Sequence, residues 1–267
     1  MSPALVIGAA FAYLLALFAL AAWADRRAAA GRSVIGSAWV YALSMGVYCS
    51  AWTYFGSVGR AAAGGLAFLP IYLGPTLAMV LAWSVLRKMV RIARQYRITS
   101  IADFIASRYG HSRVLAGAVT LIALVGVVPY VALQLKAIAS GYAVMTSTPP
   151  AGGAWWADHT LYVALLLAGF SVAFGTRQLD NSERHEGLVA AIAAESVVKL
   201  LAFLAVGIFV VWGLFSGPDE LFARGAQLPA LKPPAEGGPW FAMLVLAMFS
   251  VLLLPRQFQV MVVENVD

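Results

Sequence analysis

Charge is what this sequence has least of. Asp, Glu, Lys and Arg make up 11% of 267 residues while 62% are hydrophobic, whereas a soluble domain usually carries about 25% charged residues. A water-soluble fold of this size would need more polar surface than the chain supplies. Cysteine is scarcer still. The one residue, Cys49, excludes an internal disulfide framework. Glycine-rich nucleotide motifs are missing too, so the histidine in "NSERHEGL" has no ATP-binding partner for a phosphoacceptor role. A zinc-protease helix starting at His185 and Glu186 would need a second histidine where Val189 stands. His185 is expected instead in a polar loop network with Arg177, Asp180, Glu183 and Arg184.

Long apolar runs are what the sequence has in excess. Seven stretches approach or exceed the roughly 20 residues that a spanning helix needs. They lie at about 3–24, 37–57, 66–86, 114–144, 159–175, 187–215 and 239–261. The first lacks a basic leader, and its charges, Asp25, Arg26 and Arg27, follow the apolar run. It therefore reads as an uncleaved anchor rather than a secretion signal. With the N-terminus outside, the inner loops hold twelve basic residues (three in 25–36, seven in 87–113, two in 176–186). The outer loops hold three, Arg60, Arg224 and Lys232. That imbalance fits the positive-inside rule and places Asp267 in the cytoplasm. The net charge of +6 is then a matter of topology, and nucleic acid is not an expected partner; the lipid bilayer is.

Inside the loop at 87–113, "ITSIADFIASRYG" has Ser100 positioned to cap a short helix, with Asp103 three residues on. Ile101, Phe104 and Ile105 make one apolar face and Gly110 suits the stop. The expectation is a helix lying at the inner membrane surface. Spans two and seven look broken. The second, "YALSMGVYCSAWTYFGSVGRAAAGG", is rich in glycine and hydroxyls, and the seventh is interrupted by Pro255, with Arg256, Gln257 and Gln259 close behind. Unwound backbone at membrane depth persists only where protein or a polar cavity satisfies it, and transporters use such breaks to present carbonyls and helix ends. Glycine and proline are also common in ordinary membrane helices, so a plain kink is the competing reading.

Glu195 and Lys199, in "AIAAESVVKLLAF", are four residues apart and share a helix face in the favourable acid-first order. With the helix starting near Gly187, Glu195 lies roughly 12 Å from the inner end, too deep to reach water alone. An ion pair that fixes helix packing and a place on a substrate or proton path are both open. Lys136 falls roughly 33 Å along span four and belongs to the outer interface, apart from that pair.

Taken together, "YCSAWTYFGSVGRAA", "FLPIYLGP", "TSIADFIASRYG", "VGVVPYVALQLKAI", "FGTRQLDNSERHEGL", "AAESVVKLLAF" and "LPRQFQVMVVEN" resemble the sodium/solute symporter family. More narrowly, they look like the symporter-like input domain of bacterial membrane sensor histidine kinases. The likeness runs from about Ser37 to Asp267. It implies an all-α, multi-pass helix bundle with part of a LeuT-type inverted repeat. Residues 1–36 would be an extra N-terminal helix and loop, 37–215 the first five-helix repeat, 216–238 an outer loop, and 239–267 the first, broken helix of a second repeat. Sensor, kinase and receiver regions would follow Asp267 in the parent protein, so no catalytic residue is expected in these residues.

The resemblance also implies sites. Backbone carbonyls near Gly46 and Cys49 match a sodium-coordinating unwound segment, as a half-site only; no other cofactor is implied. Thr53 matches a substrate-facing position, and Trp52, Gln134 and Ser250 are grouped with it. Where Trp52 and Thr53 stand, the family often has a polar amide or acid, so an amino acid or small organic acid is expected rather than a sugar. Glu195 and Lys199 belong to a motif typical of the kinase-linked branch. The implied function is uptake or sensing of a small solute, with sodium, in a bacterial inner membrane, feeding cytoplasmic kinase domains of the same polypeptide. A stand-alone symporter without a kinase is the alternative.

Overall fold

The structure is a computed structural model that describes residues 1–147, 156, 160–165, 168–169, 186–228, 231 and 237–264. Helices account for all the regular structure among them. Three are long and apolar enough to cross a membrane: α1 (Pro3–Ala29), α7 (Arg113–Thr146) and α8, which starts at Glu186 and continues through a widened last turn to Leu214. Their surfaces show why lipid is the solvent. Leu121, Ile122, Val125 and Val128 on α7, and Leu200, Leu201, Phe203 and Leu204 on α8, all face outward. Water would not tolerate that much exposed apolar area on one chain. The chain is a multi-pass membrane helix bundle, and spans one, four and six stand close to where the apolar runs put them.

Spans two and three are less simple. The run at 37–57 is divided into α2 (Ala38–Ser44), a 3₁₀ turn (Met45–Tyr48), an extended residue at Cys49, and α3 (Ala51–Gly64). The run at 66–86 gives α4 (Pro70–Leu81) and then α5 (Trp83–Tyr96). A bend of 70° separates Thr53–Phe68 from α4. Beyond the short helix α9 (Pro218–Ala226), α10 (Gly237–Leu253) and α11 (Pro255–Phe258) with the turn after it are bent by 49° at Leu254. The described residues thus offer up to five spans, counting each bent pair as one. Span five, with the loop that holds His185, lies largely outside the described residues.

Small residues set the helix crossings. Gly74 of α4 is buried against α10, where a Cβ would come within 2.6 Å of Ala247 and 2.7 Å of the Leu244 carbonyl. Close backbone approach of this kind holds helices together in lipid, where apolar burial gives no drive. Gly187 does the same for α8 against α1, where a Cβ would come within 2.5 Å of the Ala21 carbonyl. There the Gly187 amide donates to Asp25 Oδ1 at 2.6 Å, so an acid near the C-terminal end of α1 answers the open N-terminus of α8. Ser33 donates to Glu186 at 2.8 Å beside it.

The core sits under the amphipathic α5. Its buried side, Leu86, Met89, Val90 and Ala93, packs with Ile98, Ile101, Phe258 and Met261. Arg87, Lys88, Arg91 and Arg94 occupy the exposed side. The helix α6 (Ile101–Arg108) forms as its cap predicts: Ser100 Oγ accepts from the Asp103 amide at 3.1 Å, and Gly110 has φ +66° just past the end. Its apolar face is taken up by protein rather than laid on lipid, with the Phe104 and Phe258 rings 5.4 Å apart.

Two substitutions test these contacts through thermal unfolding in detergent micelles. Gly74→Val forces α4 off α10 and is expected to cost about 1–3 kcal/mol. Asp25→Ala, which leaves the end of α8 without its acceptor, is expected to cost about 1 kcal/mol. An unchanged midpoint for both would show that these crossings do not hold the bundle.

Candidate functional site

Breaking a helix releases carbonyls, and the chain from Met45 to Ser50 shows where they go. Gly46 O accepts from the Cys49 amide at 2.9 Å, closing the 3₁₀ turn. The Thr53 amide, which an unbroken helix would send to Cys49 O, goes to Ser50 O at 2.9 Å instead. Three carbonyls are therefore met by side chains. Met45 O accepts from Gln257 Nε2 at 3.4 Å, Tyr48 O from Arg256 at 3.4 Å, and Cys49 O from Lys199 Nζ at 2.7 Å. Satisfying such groups is obligatory where no water reaches them.

Two of those donors come from the second break. Pro255 opens α11, and Arg256 and Gln257 follow directly into the first break. Arg256 also donates to the Tyr130 hydroxyl of α7 and lies 4.4 Å from that ring's centre, a cation–π contact. Tyr48 and Ser250 share a hydrogen bond of 3.0 Å across the two breaks, and Ser250 Oγ also donates to Ala247 O at 2.7 Å. Tyr41 OH donates to Met261 O at 2.8 Å. The two interrupted segments are thus bonded face to face.

Two amide atoms are buried with no hydrogen-bond partner among the described residues: Gln257 Oε1, at this junction, and Gln134 Nε2, on α7. Gln257 is fully buried, and its Nε2 contacts Met261 Sδ at 2.9 Å as well as Met45 O. Gln134 lies one helical turn beyond Tyr130, so both project from the same side of α7. An unanswered buried polar atom costs about 1–3 kcal/mol, so each of these two atoms is a point where a small polar molecule would gain a bond.

The first break is seated on α8 through Gly46. A Cβ there would fall 2.8 Å from Ser196 Cβ and closer still to its hydroxyl. Three residues further along each segment, Cys49 O meets Lys199. The pairs run in step, Gly46 on Ser196 and Cys49 on Lys199. Glu195 completes the group with an ion pair to Lys199 at 2.9 Å, each side chain between a third and two fifths exposed. Acid and base at i and i+4 pair as their spacing predicts. Lys136 is exposed on α7 and takes no part in that pair.

Of the positions grouped by resemblance, Ser250 stands at the junction, and Gln134 lies one turn along α7 from Tyr130, which contacts Arg256. Thr53 has its hydroxyl spent on the cap of α3, accepting from the Ser50 amide at 3.1 Å, while its carbonyl accepts from Tyr72 OH at 2.8 Å. The side chain of Trp52 lies outside what the structure describes. Arg256, Gln257, Tyr48 and Tyr130 carry no assigned role in the sequence reading. The signal for Arg256 is an unexplained charge directly after the proline of an apolar span; for the two tyrosines there is none.

With this geometry in place, comparison with known proteins becomes informative. Residues 28–145 match the model of the sodium:solute symporter family. That region runs from the end of α1 almost to the end of α7, and so contains the first break and Gln134. An uncharacterized symporter of Bacillus subtilis (strain 168), YhjB, is 25% identical over 224 residues, 79% of this chain and 41% of the relative. A second from the same organism, the uncharacterized symporter YodF, is 32% identical over 90 residues, 33% of this chain and 18% of that protein. The chain thus spans less than half of each. No solved structure matches.

A symporter of that family name implies sodium, and the carbonyls of Gly46 and Cys49 are where the sequence would put it. Both are engaged: Gly46 O by an amide, Cys49 O by an ammonium. The Lys199 ammonium, 2.7 Å from the Cys49 carbonyl and paired with Glu195, takes the place and the counter-charge that a sodium ion would use. A sodium ion on the Cys49 carbonyl does not fit while Lys199 is there.

Removing one donor exposes its carbonyl. Arg256→Met is expected to lower stability by about 1–3 kcal/mol, since Tyr48 O and Tyr130 lose their partner. Arg256→Lys should recover part of that, keeping charge without the planar fork. Urea-induced unfolding in mixed micelles reads both, and equal stability of Arg256→Met and the parent would remove Arg256 from the junction.

Proposed function

We propose that this chain is the N-terminal part of a symporter-type secondary transporter that binds a small polar solute between its two broken spans. One observation carries the reading: the breaks face each other through the Tyr48–Ser250, Arg256–Tyr48 and Gln257–Met45 bonds, and Gln257 at their junction keeps a buried acceptor with no partner among the described residues. The sodium:solute symporter match over residues 28–145 supports it. So does the correspondence between the breaks and the first helices of two inverted repeats, which is the expected architecture for binding at the membrane midplane. An amino acid or small organic acid suits the site, because a carboxylate would find the Arg256 guanidinium there. The N-terminus lies outside and the membrane is a bacterial inner membrane, as the loop charges support.

A second reading keeps the same site and gives it a sensing task, as the input domain of a histidine kinase on the same polypeptide. Its support is the stretch "AAESVVKLLAF" with Glu195 and Lys199, which resembles the kinase-linked branch. Solute-dependent autophosphorylation of the full-length protein would favour this reading; its absence alongside active uptake favours the plain transporter.

Uptake into proteoliposomes of the full-length protein, screened with radiolabelled amino and organic acids, tests the shared core of both. Gln257→Leu and Gln134→Leu are expected to lower uptake at least about tenfold, the effect of losing roughly 1.4 kcal/mol of binding, while the protein remains folded in the membrane. Unchanged uptake in both variants would sink the proposed site.

A further inference from the structure

We propose that the Lys199 ammonium is a tethered cation that stands in for an exchangeable sodium ion at the first break, so that this site is sodium-independent. The inference deepens the transporter reading only in naming the ion at the junction; the geometry holds whether or not a solute moves.

Cys49 is the acceptor at this site. Its carbonyl has lost its helical partner because the Thr53 amide bonds Ser50 O. The atom that replaces that partner is a charged nitrogen, 2.7 Å away, on a helix 150 residues further along the chain. Glu195 balances the charge at 2.9 Å, so the ammonium has an anion on one side and a backbone dipole on the other. Those are the two features that a monovalent metal ion would need there. The placement is built rather than incidental: Gly46 lets the turn approach Ser196 closely, and the matched three-residue steps then deliver Cys49 to Lys199. A side chain that snorkelled freely would leave the Cys49 carbonyl without an answer, at a depth where that is costly.

A tethered cation also differs from a free one in what it allows. Sodium leaves when the site opens and makes occupancy depend on the gradient. Lys199 stays attached to α8, and the tie between the first break and that helix persists at any sodium concentration. The exposed thiol of Cys49, in the same residue as the acceptor carbonyl, provides a local reporter of whether an ion binds.

The test uses the full-length protein in proteoliposomes with sodium itself as the probe and potassium as the control. Alkylation of Cys49 by N-ethylmaleimide is followed on its own peptide by mass spectrometry, beside the thermal midpoint in each salt. For the parent, rate and midpoint are expected to be equal in NaCl and KCl. Lys199→Met frees the carbonyl while Glu195 remains. Its Cys49 should become sodium-protected, by about tenfold when sodium stands near ten times its dissociation constant, with a matching rise in midpoint. Lys199→Arg keeps a cation and should stay insensitive to sodium.

Sodium protection or stabilisation of the parent would overturn the proposal, as would a Lys199→Met protein that is folded yet indifferent to sodium. If Lys199→Met fails to fold, the parent and Lys199→Arg decide: insensitivity of both supports the tethered cation, and a sodium response in either rejects it. A transport assay that detects no uptake would count against the transporter reading and leave this result untouched.

Discussion

A carbonyl freed at membrane depth must be answered from within the protein, and much of this structure follows from that requirement. The chain interrupts its second span between Met45 and Ser50, and the released oxygens are matched by Gln257, Arg256 and Lys199. None of these comes from the neighbourhood in sequence. Two arrive from the second break and one from α8, so the break draws distant helices together. In water the same carbonyls would be solvated and would enforce nothing. In hydrocarbon an unmet carbonyl costs several kcal/mol, and the donors are held where they are needed.

The breaks therefore act as junctions rather than defects. Pro255 ends α10 and aims two polar side chains at the first break, while Gly46 gives that break its seat on α8. The small residues Gly74 and Gly187 set the remaining crossings. Among the described residues, Gln257 keeps one buried amide oxygen without a partner at that junction. The region that matches the symporter family carries one side of the junction, and residues beyond it carry the other.

Much of the bundle could be read before any coordinates. Apolar runs announce α1, α7 and α8 because a spanning helix needs length and little else. The Ser100 cap and the i, i+4 spacing of Glu195 and Lys199 depend on local geometry alone, and both stand as spacing predicts. The breaks were legible as glycine and proline in odd places. The partners at the breaks were not. That Lys199 meets Cys49, or Arg256 meets Tyr48, depends on helices well over a hundred residues apart in sequence, and no periodicity carries that information. At Thr53, placed among substrate-facing positions by resemblance, the hydroxyl accepts from the Ser50 amide in the cap of its own helix, a local bond that the resemblance does not reveal. The turn from α4 into α5 was hidden as well, because one continuous apolar run covers both sides of the bend.

The length of α7 has a mechanical consequence. Its 34 residues measure about 51 Å at 1.5 Å each, against a hydrocarbon layer near 30 Å. Even a lean of about 40°, the upper end for membrane helices, leaves roughly 39 Å along the bilayer normal. The rod must overshoot the oily layer, and any thinning or thickening of the membrane changes how far it leans. Tyr130, partway along it, grips Arg256. The polar junction is therefore fastened to a lever whose angle the surrounding lipid helps to set.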